Sequence, residues 1–102
     1  MPLQDQLRSY LQRLAEPVTY SRVMQDLGAP HMRNITAALE ILMDEDAAQN
    51  RPFLSALVVS RTYPMPNRGF FLHARTLGRI VADEQSFHQA ELAALGIPPR
   101  LP

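Results

Sequence analysis

The chain contains no cysteine, no tryptophan and no lysine. Without thiols it can form neither disulfides nor thiolate metal sites, a pattern that suits a reducing, cytoplasmic setting. No stretch approaches the roughly 18 apolar residues of a membrane span. The opening segment MPLQDQLRSYLQR is polar and helical in pattern, unlike a signal peptide. All ten basic residues are arginine, which a GC-rich coding bias explains. Glycine occurs only at 28, 69, 78 and 96, each where a turn or terminus accounts for it, so there is no Gly-rich phosphate loop. His31, His73 and His88 lack metal-ligand spacing, and Ser86 and His88, two apart, fall on different helix faces. The acids at 44–46 and the Asp83-Glu84 pair read as solvated helix-end surface rather than a tuned acid/base pair. These absences lead us to expect no enzyme, no cofactor and no metal.

A chain of 102 residues makes one domain, expected over residues 1–96 with a short tail at 97–102. Its zero net charge hides an asymmetry. Residues 1–50 hold four Arg against seven acids, and residues 83–102 hold one Arg against three. Residues 51–82 hold Arg51, Arg61, Arg68, Arg75 and Arg79 and no acid at all. A basic middle third can give a neutral protein a positive face.

Apolar spacing predicts the helices. Leu3, Leu7, Leu11 and Leu14 mark a helix over 3–15, which Glu16-Pro17 ends. Thr19 caps a two-turn helix over 20–27, which Gly28 terminates. Pro30 suits the first position of a third helix. Ile35, Ala38, Leu39, Leu42 and Met43 carry that helix to 46–48. Asp83 caps a final helix with Phe87, Ala90, Ala94 and Leu95 along one side, closed by Gly96. Between these helices, residues 53–59 end in a β-branched pair, and Gly69-Phe70-Phe71-Leu72-His73 is aromatic. With the turn-rich Thr62-Tyr63-Pro64-Met65-Pro66-Asn67 between them, they read as a two-stranded β-hairpin.

The order helix, short helix, tight turn, long helix, hairpin resembles the winged helix-turn-helix superfamily over residues 3–75. The resemblance implies a mainly helical α+β domain with three helices, a two-stranded β-hairpin wing and a C-terminal helix. It also implies a bacterial-type transcriptional regulator that binds duplex DNA as a homodimer. Mapped onto this chain, the third helix presents His31, Arg33, Asn34 and Thr36. Arg33 would read guanine and Asn34 adenine, with His31 or Thr36 on phosphates. The wing offers Arg61, Asn67 and Arg68 to phosphates or a narrow minor groove. Against this, the third helix brings a single Arg, and Glu40 and Asp44 repel phosphate if they face it. The alternative is a winged-helix protein-interaction module. Tyr63 and Met65, between prolines, make an apolar wing tip that phosphate contacts do not require.

Overall fold

The leucine stripe at the N-terminus turns inward as its spacing demands: α1 spans Leu3–Gln12, with Leu7 and Leu11 fully buried. The computed structural model describes residues 2–98. Helix α1 stops short of the expected 15, because Arg13 and Leu14 bond back to the carbonyls of Tyr10 and Leu11 and tighten the last turn. Strand β1, Val18–Thr19, leads into α2, Tyr20–Leu27. The Thr19 hydroxyl caps α2 by accepting from the Arg22 N–H at 3.3 Å. Gly28 ends it at φ 64°, so that the Ala29 N–H reaches the Met24 carbonyl at 3.0 Å. The same closure ends α3, Met32–Ala48, where Asn50 takes φ 54° and Arg51 N–H donates to Asp46 O at 2.8 Å. Pro30 does not open α3. His31 is its N-cap and Met32 its first residue.

A phenol clasps α1 to α2. Tyr10 donates to Asp26 Oδ2 at 2.6 Å, and Arg22 Nε holds the same carboxylate at 3.1 Å. Burial and the bond to Asp26 push the Tyr10 pKa up to about 12. Leu7, Leu11, Val23, Ile35, Leu39 and Leu42 pack the three helices into one core, as their spacing predicts.

The hairpin is not there. Residues Leu54–Leu57 form a 3-10 turn, and only Val58–Val59 (β2) is strand. Its partner is β1, in parallel, with Val18 opposite Val58 and Thr19 opposite Val59. The expected second strand is helix α4, Arg68–Thr76. Two local forces make it helical. Asn67 caps it, its Oδ1 accepting from the Phe70 N–H at 3.3 Å. Phe70, Phe71 and Ala74 then fall at i, i+1 and i+4, and all three are buried. Between β2 and α4 the chain runs through a loop at 60–65, closed by Ser60 N–H donating to Met65 O at 2.9 Å.

Met43, Phe53, Ala56, Phe70, Phe71, Ala74 and Val81 form a second core, with Leu92 and Leu95 packed against both. Helix α5, Glu84–Ala94, starts where expected, with the Asp83 carboxylate accepting from Ser86 N–H at 2.8 Å. Its buried side differs: His88 and Glu91 face inward, while Ala90 and Ala94 are exposed. Those polar groups tolerate burial because each finds a partner, described below. Ile97, assigned to the tail, is buried in the first core. Residues 99–102 of that tail lie outside the described residues. The result is a mainly helical α+β domain of five α-helices and one two-stranded parallel sheet among the described residues. Among the described residues, no helix is long and apolar enough to cross a membrane.

Candidate functional site

Folding redistributes the arginine-rich middle third. Arg51 Nη2 lies 3.0 Å from Asp46 Oδ1, Arg79 Nη1 lies 3.6 Å from Glu91 and Arg75 Nη1 lies 3.8 Å from Glu84. Three of the five cations thus meet acids from other segments, leaving Arg61 and Arg68. Arg8 and Arg22 are also paired, with Glu45 and Asp46 and with Asp26. Among the described residues, Arg13, Arg33, Arg61 and Arg68 make no ion pair.

Asp46 is not the surface acid that its neighbours suggest. It is 1% exposed. Oδ1 binds both Arg8 and Arg51 at 3.0 Å, and Oδ2 accepts from the Leu54 N–H at 3.1 Å. It joins α1 and the end of α3 to the 3-10 turn. Glu91 does similar work from α5, accepting from the Phe53 N–H at 2.9 Å. The Arg79 guanidinium lies 4.2 Å over the Phe53 ring and donates to Arg51 O.

Two of the unpaired arginines occupy first turns of helices. Arg33 is the second residue of α3 and Arg68 the first of α4, and both are exposed. A cation there meets the positive end of the helix dipole, which disfavours it by about 0.3–1 kcal/mol. An anion reaching the same place would gain from both the dipole and the guanidinium. His31 and Asn34 are exposed beside Arg33. Thr36, Asn67 and Arg68 line one recess of about 300 Å³ between α3 and α4. Tyr20 fixes its rim, because its hydroxyl accepts from the Asn67 backbone N–H at 3.0 Å and so sets where α4 begins. Some of the polar capacity is already used: Asn67 Oδ1 caps α4, and Thr36 Oγ1 donates to Arg33 O at 3.1 Å. Glu40 also lines this recess, and with exposed Asp44 and Glu45 it makes the C-terminal half of α3 acidic.

Arg61 is elsewhere. It lines a second, larger cleft of about 540 Å³ with Tyr63 and Met65. Tyr63 is 62% exposed, but Met65 is half-buried, so the pair forms a wall and not a free tip. The floor is Thr19 and Val59 from the two strands. The opposite wall is α5, presenting Gln85, His88, Gln89 and Leu92 at i, i+3, i+4 and i+7. That spacing was available in the sequence as a helix face, but its mixed polarity carried no core signal.

His88 is the residue that sequence reasoning missed. It is 3% exposed, and its Nε2 lies 2.8 Å from the Ala56 carbonyl. A carbonyl only accepts, so Nε2 carries the proton. Burial, opposed by the bond to Ala56, holds the ring below its usual pKa of 6.5. The unfolded chain therefore takes up a proton below 6.5 that the folded chain refuses. The stability from this group is full above 6.5 and is lost as pH falls toward the depressed folded value. Denaturant titrations between about pH 7 and 5 should show this loss, and His88→Gln, which retains a donor for Ala56, should flatten it.

No protein-family model matches the chain, and neither a curated protein nor a solved structure is significantly similar to it.

Proposed function

We propose that the protein binds duplex DNA through the N-terminal half of α3 and the start of α4. In this reading α2, residues 28–31 and α3 form a helix-turn-helix of the winged type, with the 60–65 loop in place of a hairpin. The observation that carries it is the pair of unpaired arginines, Arg33 and Arg68, in first turns where the dipole disfavours them. Every arginine that packs the domain has an acid, whereas these two have none. Arg33 and Asn34 would face base edges, while Arg68, His31 and Thr36 would meet phosphates. The acids from Glu40 onward confine the contact to the first turns of α3. One phosphate-neutralising arginine, Arg68, gives a log–log salt slope of roughly −1 per protomer. That is weak for a monomer, so two copies on paired half-sites complete the proposal.

Selection from random duplexes at low salt, followed by titration between about 50 and 200 mM, tests it. One sequence class should be enriched, and affinity should fall by about tenfold or more across that range. Arg68→Ala should weaken every sequence alike, whereas Arg33→Ala should change the preferred sequence. Glu40→Gln should strengthen binding. Absence of enrichment together with salt-independent affinity would end this reading.

A further inference from the structure

The cleft between α5 and the 60–65 loop lies outside the proposed DNA contact, and its chemistry is specific. At about 540 Å³ it has the capacity of a small-molecule pocket. Val59, Tyr63, Met65, Leu92 and Ile97 give it apolar walls. Among the described residues its lining contains no acid and one full charge, Arg61, which has no ion-pair partner there. His88 adds a second, independent feature. Its Nε2–H is committed to Ala56 O, so the neutral ring leaves Nδ1 as an acceptor. Nδ1 has no hydrogen-bond partner among the described residues. It is not sealed from solvent either, because among the described residues no fully buried side-chain nitrogen or oxygen lacks a partner. A buried imidazole that lines a cleft with one free acceptor calls for a donor from within that cleft.

The geometry points to a binding site for a small apolar carboxylic acid that also carries a hydrogen-bond donor. Its carboxylate pairs with Arg61, its body lies between Tyr63 and Leu92, and its donor meets His88 Nδ1. The charge complementarity fixes the sign of the ligand. The depth of His88 favours a molecule that enters the cleft over a partner that lies across its mouth.

The test is titration of the intact chain by two-dimensional NMR with hexanoate, benzoate, phenylacetate and indole-3-acetate, each against its primary amide. Indole-3-acetate carries the donor and should bind best. Its shifts should saturate and be confined to the residues of the cleft. The amide should bind about tenfold more weakly, and Arg61→Gln should erase that difference. Ala93→Trp, at an exposed position of the cleft wall, should fill the cleft and abolish binding in a chain that still shows dispersed signals. If none of the four acids gives saturable shifts, or acids and amides bind equally to the native chain, the assignment is wrong. Shifts elicited only by longer peptides would overturn it in favour of a peptide groove. Neither result bears on DNA, because Arg33 and Arg68 lie outside this cleft.

Discussion

Asp46→Ala should lower stability by about 3 kcal/mol, and Glu45→Ala, its sequence neighbour, by less than about 1 kcal/mol. Both acids bind Arg8, so the difference is one of burial and not of partner. Asp46 is sealed, and it binds two guanidiniums and a backbone N–H. Its removal leaves the Leu54 N–H without an acceptor, strips Arg51 of its counter-charge and takes from Arg8 one of its two. Glu45 is exposed and water replaces its contact. In a domain of this size the loss corresponds to a melting temperature lower by about 12 °C or more. Asp46→Asn keeps the shape and an acceptor for Leu54, and should recover part of that loss. Equal effects at 45 and 46 in calorimetry would show that the buried cluster is not what holds α1 against α3.

Phe53→Ala should cost more still, about 3–5 kcal/mol, whereas Phe53→Leu should cost about 1.5 kcal/mol. Phe53 is 0% exposed and stands edge-on to Phe70, with ring centroids 6.0 Å apart. Arg79 covers its other side, and Glu91 holds its backbone N–H. Truncation to alanine opens a cavity and leaves the Arg79 cation over it. Leucine refills most of the volume and loses only the ring contacts. Because Leu92 and Leu95 touch both cores, the loss should appear as one cooperative transition shifted as a whole. Two separated transitions in the alanine variant would mean that the cores unfold independently.

The helices of the N-terminal half were legible because their signals are local. Leucine spacing, the Thr19 cap and Gly28 each act within a turn, and the structure shows them at work. Helix α4 was misread for a local reason as well. Two adjacent phenylalanines weigh heavily toward strand, and Asn67 as a cap with apolar residues at 70, 71, 74 and 77 was the better signal. Parallel pairing of β1 with β2 leaves no short-range trace, since its partners are 40 positions apart. Charge was the least legible property. A run of arginines without acids says nothing about acids that arrive from α3 and α5, and these neutralise Arg51, Arg75 and Arg79. Of the expected site, Thr36, Asn67 and Arg68 come together and Arg61 does not. Sequence distance could not separate Arg61 from Arg68, because the loop between them turns the chain from one recess to the other.

The small parallel sheet has a consequence for the order of folding. Pairing Val18 with Val58 closes a 40-residue loop, at an entropic cost of about 3 kcal/mol before any constant term. Ladder hydrogen bonds between two-residue strands, each contributing about 1 kcal/mol net, barely offset that. The strands cannot nucleate their own encounter. Helices α1, α2 and α3 must first gather Leu57 and Val58 onto their shared core, and the ladder then forms as a late event. In unfolding, the same two pairs should be among the first to part, so amide exchange at β1 and β2 should outpace that of α3.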